Sequence, residues 1–149
     1  MREGVAHENL DLSVFQLKEE SKFEALMNMH RLPVKVVELE DNCEKGENLI
    51  FPGHDLYLEG EEQKLIPTAY GGVMSQVGEK GYIVNTEKKS ENGMCGSPSL
   101  LASDPGKCVG IVYARVGEDI SNKFSGHTLV LPANKIRTFL DSIEKSPSH

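Results

Sequence analysis

The chain has 149 residues, a formal net charge of -7 and 38% hydrophobic residues, which allows one domain with a lean core. The acidic balance argues against nucleic acid as a partner, because neutralising phosphates requires a basic surface. No run approaches the ~18 consecutive apolar residues of a membrane span, and Met1-Arg2-Glu3-Gly4 lacks the apolar stretch of a signal peptide, so a cytoplasmic setting without membrane contact is expected.

From the N-terminus, Asn9 to Leu17 reads as a strand that begins at an acid, Asp11, with Leu12 and Val14 facing opposite to Ser13, Phe15 and Leu17. Lys22 to His30 is ambiguous, its Phe23, Leu26 and Met27 fitting a helical turn. Short strands are then expected at Val34–Leu39, Leu49–Phe51, Leu56–Leu58, Gly72–Val77 and Gly81–Val84, separated by Gly, Pro, Asn, Asp or Glu clusters. That spacing indicates a sandwich or barrel. Acidic runs at Glu19-Glu20, Glu38-Leu39-Glu40-Asp41 and Glu59-Gly60-Glu61-Glu62 read as solvated turns. His54 beside Asp55 invites a role as a base, but a turn histidine capping the preceding strand is the simpler reading.

The densest motif is Asn92-Gly93-Met94-Cys95-Gly96-Ser97-Pro98. Gly93 and Gly96 can take backbone angles barred to other residues, so the loop can turn sharply and aim successive N–H groups at one point beside Cys95. Such a nest would stabilise an oxyanion. A thiol of ordinary pKa, about 8.5, is only a few per cent ionised near neutrality and needs a neighbouring base to act as a nucleophile. The bland alternative is a tight turn whose cysteine is a small buried hydrophobe. Cys43, Cys95 and Cys108 make an odd count without a Cys-x-x-Cys pair. They read as free thiols in a reducing compartment, and no metal or cofactor is expected.

After this loop, Ser99-Leu100-Leu101 should turn at Ser103-Asp104-Pro105-Gly106 into a strand over Lys107–Ala114. Gly126 to Pro132 reads as the last strand. Ile136, Phe139, Leu140 and Ile143 recur at i, i+3, i+4 and i+7, which predicts a closing amphipathic helix and then a disordered polar tail at 146–149. The nucleophile elbow of α/β-hydrolases, Gly-x-Ser-x-Gly, fits worse. It needs a helix after the nucleophile, whereas Pro98 and the apolar run behind it point to a strand.

Taken in order, these pieces resemble the chymotrypsin/trypsin-like peptidase superfamily, more closely its HtrA-like members and relatives with a cysteine nucleophile. Asp11-Leu12-Ser13-Val14 is similar to the segment bearing the triad aspartate, and Gly93-Met94-Cys95-Gly96-Ser97-Pro98 resembles the Gly-x-Ser-Gly-Gly-Pro nucleophile loop. Val109-Gly110-Ile111-Val112 and Leu129-Val130-Leu131-Pro132-Ala133 match the paired strands and the proline before the closing helix. The resemblance implies a mainly β fold: an antiparallel trypsin-like barrel over 21–145 with a C-terminal α-helix, preceded at 1–20 by a linker strand carrying the aspartate.

It further implies Cys95 as nucleophile, Asp11 as orienter of a histidine, and the N–H groups of Gly93 and Cys95 as the oxyanion hole, a donor of this kind being worth about 2.7–4 kcal/mol. Tyr113, Ala114 and Arg115 would flank the primary specificity pocket, with Lys89 near its floor. The family's histidine lies upstream of the aspartate in a preceding barrel. His7, His30, His54, His127 and His149 all lie outside any family base motif. The chain therefore resembles the second half of a two-barrel peptidase, incomplete or inactive as it stands, with the missing barrel expected from the full-length protein. The alternative reading is a pseudoprotease whose barrel binds a peptide or protein ligand.

Overall fold

The computed structural model describes residues 4–6, 12–14, 20–29, 36–78, 81–87, 95–117 and 123–144. Two units divide the chain, residues 1–37 with 138–149 and residues 38–137. In the first, β1 (Val5–Ala6) pairs antiparallel with β2 (Ser13–Val14). The helix α1 (Glu20–Met29) settles the ambiguous stretch as helical. Asp11, on which the expected aspartate-bearing strand depends, lies outside the described residues.

The second unit is a closed barrel. Its strands are β3 (Glu38–Leu39), β4 (Asn48–Glu59), β5 (Glu62–Gly78), β6 (Gly81–Thr86), β7 (Pro98–Leu101), β8 (Asp104–Arg115) and β9 (Thr128–Pro132). Around the ring the order is β8-β7-β4-β5-β6-β9, and the pairing of β9 back onto β8 closes six antiparallel strands. β3 lies outside the ring, parallel to β8. Strands make up 56% of the described residues, so the protein is mainly β, and the helix α2 (Ala133–Glu144) follows β9 directly. Ala133, Ile136 and Phe139 are buried along α2, as the i, i+3 spacing predicts.

Inward-facing residues from every strand of the ring fill the barrel. Phe51, Leu49, Met74, Val84, Val109, Val112 and Val130 are almost wholly buried and form one cluster with Tyr70, Tyr82 and Leu101. A smaller cluster of Ile83, Val116 and Leu129 takes in Tyr113, Ala114 and Phe124. The segment before β4 is tied down by polar contacts. Arg137 donates to the Asp41 carboxylate at 2.5 Å and to the Leu39 carbonyl at 2.7 Å, and Lys107 lies 3.3 Å from Glu40.

Several expected elements differ in extent. The strands expected at Leu49–Phe51 and Leu56–Leu58 are one strand, β4, because Pro52-Gly53 runs straight through with β5 as its partner. β4 is paired on its other edge only at Leu49 and Ile50, so Pro52 sits where a missing N–H is tolerated. The expected Ser103–Gly106 turn is the two-residue connection Ala102-Ser103, with Pro105 and Gly106 already in β8. The register jumps there from Leu101↔Asp104 to Leu100↔Cys108, so the proline and glycine form an irregularity within the strand. Of the strand expected at Val34–Leu39, only Glu38 and Leu39 pair among the described residues.

Ring closure depends on a residue without a side chain. At Gly110, a Cβ would collide with the Leu131 carbonyl oxygen and Val130 Cγ1 of β9. The backbone oxygen cannot yield without opening the β8–β9 ladder. Gly110→Ala should therefore lower stability by about 1–3 kcal/mol, seen as a lower urea midpoint at unchanged slope; a midpoint equal to wild type would contradict this closure.

Candidate functional site

The N-terminal end of β7 is held from one side only. Gly96 donates to the Val112 carbonyl at 2.7 Å, and Val112 donates back to the Ser97 carbonyl at 2.9 Å, so the chain ahead of Pro98 stays laced to β8. Gly96 has φ of 89°, the left-handed region that side chains avoid. A Cβ there would meet nothing within 4 Å, so the demand for glycine is conformational rather than spatial. This turn carries Cys95, which is exposed, at the surface of the barrel.

The Cys95 thiol donates to the Tyr113 carbonyl at 3.9 Å, a long and weak sulfur contact. Tyr113 is the extra residue of a β-bulge, falling between the pairs Val112↔Val130 and Ala114↔Leu129. Bulges redirect the backbone locally and are frequent beside active sites. The Tyr113 ring packs with Ala114 against Ile83, Val116 and Leu129, and burial pushes its phenol pKa up. Arg115 is exposed.

Cys95 also lines a cleft of about 470 Å³, within the size range of small-ligand and peptide side-chain sites. One bank is Pro52-Gly53-His54 of β4 with Pro67 and Thr68 of β5, and the other is Cys95 to Pro98. A second cleft, of about 430 Å³, lies over Gly71 and Gly72 with Asn48, Asn85, Thr86 and Glu87 along it, and contains no thiol or imidazole.

The structure thus brings Cys95 together with the Tyr113 backbone, while Ala114 and Arg115 are not among the residues lining the Cys95 cleft. Gly93, Lys89 and Asp11 lie outside the described residues, as do His7, His30 and His149. His127 packs edge-on against Phe124, with ring centroids 5.5 Å apart, and its backbone N–H donates to the Phe124 carbonyl, which is a structural role. His54 is not in a turn. It sits in mid-strand on β4, opposite Pro67 and exposed, and lines the same cleft as Cys95. Its dipeptide neighbours resemble turn chemistry, and only the long-range register reveals its place.

No group of three or more His, Cys, Asp or Glu side chains able to hold a metal ion occurs among the described residues, and no described helix is long and apolar enough to cross a membrane. The barrel is compatible with the barrel of trypsin-like peptidases. No protein-family model matches the chain, and no curated protein matches it.

The three thiols differ sharply in setting. Cys108 is buried and donates to the Gly110 carbonyl at 3.1 Å, and burial raises its pKa. Cys43 is half-buried, and burial with the nearby Glu47 carboxylate pushes it up to about 11. Because the thiolate is the reactive form, iodoacetamide at pH 8 should modify Cys95 at least tenfold faster than Cys43 or Cys108, with Cys43 gaining on it only as pH climbs toward 11. Peptide mapping by mass spectrometry reads this directly, and equal labelling of the three would contradict it.

Proposed function

We propose that this chain is a trypsin-like peptidase barrel with Cys95 as its nucleophile, cleaving peptide bonds through a thioester. One observation carries the reading: the only exposed thiol of the three stands at a glycine turn of positive φ, beside a peptide-sized cleft. A nucleophile needs access, a fixed position and room for an acyl group next to it. The paired backbone bonds from Gly96 and Ser97 to Val112 supply the fixed position.

The substrate class is a peptide or protein segment in extended form. β8 offers the backbone against which such a segment would lie, and the Tyr113 bulge turns one carbonyl of that strand toward the thiol. By the resemblance, Gly93 and Cys95 N–H groups would receive the oxyanion, Lys89, Ala114 and Arg115 would border the side-chain pocket, and Asp11 with a preceding barrel would complete the catalytic unit. The open cleft equally suits a pseudoprotease that binds a peptide without cutting it.

Incubation with an activated peptide ester separates the two. Wild type should accumulate an acyl adduct of one equivalent, mapped to Cys95, and Cys95→Ala should lose both adduct and turnover by on the order of 10³-fold or more. Hydrolysis that survives Cys95→Ala would remove the nucleophile assignment. Peptide binding to both proteins without any adduct would favour the binding module.

A further inference from the structure

The cleft beside Cys95 has a structural origin. β4 and β7 pair at Leu49↔Leu101 and Ile50↔Leu100. Continued in the same register, the next positions set Phe51 against Ser99, and the ones after set Pro52 against Pro98. Neither proline has an N–H to give, so the ladder cannot continue at that step.

Beyond it the two strands are held from their outer sides. β4 remains with β5 through Pro52↔Ala69, Gly53↔Thr68 and His54↔Pro67, while the chain ahead of β7 remains with β8 through Ser97 and Gly96. They part, and the space between them is the 470 Å³ cleft. The same register would set His54 against Gly96, the residue next to Cys95. Among the described residues that line the cleft, His54 and Cys95 are the only titratable side chains, the rest being proline, glycine, threonine and serine.

We infer that His54 is the general base of Cys95, so that nucleophile and base belong to the same barrel. The inference rests on the peptidase reading above. A free imidazole titrates near ~6.5 and is largely neutral at pH 7, ready to accept a proton, whereas a free thiol near ~8.5 still holds one. In the acylation step the Sγ proton passes to the His54 imidazole, sulfur bonds to the substrate carbonyl carbon, and the C–N bond breaks as the imidazolium returns that proton to the departing amine. Water then attacks the thioester carbon and gives one proton to His54, the C–S bond breaks as the imidazolium returns that proton to Cys95 Sγ, and the carboxylic acid leaves.

This placement differs from the one the family resemblance implies, in which the base comes from a preceding barrel. It follows from the β4 register. No residue of the chain's N-terminal segment is needed for the proton transfer.

The test is the pH profile of Cys95 alkylation by iodoacetamide in the full chain, compared between wild type, His54→Gln and His54→Asn. His54 is exposed, so neither change disturbs the core. Wild type should show a step in rate that depends on the imidazole, below the pH at which an unassisted thiol reacts. Both variants should lose that step and react roughly tenfold more slowly at pH 7.

Superimposable profiles in all three proteins would overturn the His54 assignment; if a peptide ester still acylates Cys95 in them, the peptidase reading stands without it. A His54-dependent step in a protein that no peptide ester acylates would retain a thiol–imidazole pair but overturn its role as a peptidase base. A His54-dependent step together with His54-dependent acylation supports both.

Discussion

Closure of β9 onto β8 is the constraint on which the rest of this barrel depends, because it joins the two edge strands of a sheet into a ring. The contact is backbone against backbone at Gly110, where the Leu131 carbonyl occupies the space a side chain would need. β8 consequently has β7 on one side and β9 on the other along its central residues. Its register against β9 must absorb one extra residue, and that residue is Tyr113. The bulge that accommodates closure is the same feature that turns a carbonyl toward Cys95, so core geometry and candidate site share one cause.

The cleft depends on the opposite event, the failure of a ladder. A sheet edge normally extends until side chains or turns stop it. Here two prolines that face one another in register stop β4 from following β7, and each strand is retained by its other neighbour. A gap made this way has rigid walls, since proline fixes φ on both banks and the Gly96 turn is anchored to Val112 by two hydrogen bonds. Rigid walls matter for nucleophilic chemistry. A thiol and an imidazole that must exchange a proton lose rate quickly when either wanders by an ångström. The mainly apolar lining leaves few competing polar groups near the two.

Much of the fold was legible in the sequence. The short apolar strands expected at Gly81–Val84 and Gly126–Pro132 and the i, i+3, i+4, i+7 pattern of α2 are local signals, and β6, β9 and α2 bear them out. The exposed Cys95 turn was legible too, because Gly96 needs a backbone angle that few residues adopt. What failed were places where a local signal was overruled by a distant partner. Pro105-Gly106 looks like a turn but is carried inside β8 by the jump in register, and Pro52-Gly53 looks like a break but runs through β4 because β5 holds it. His54 reads as a turn residue for the same reason: its neighbours are turn formers, and only the long-range pairing with Pro67 sets it inside β4.

The proposed pairing sets Cys95 and His54 across from one another where the β4–β7 ladder ends. Long-range nitrogen–proton NMR of the imidazoles, recorded through a pH titration before and after carboxymethylation of Cys95, addresses it directly. A carboxylate placed on Cys95 should shift the His54 ring resonances and raise the pH at which they titrate, because a nearby negative charge favours the imidazolium, while the His127 resonances stay put. A His54 titration unchanged by carboxymethylation would contradict that pairing.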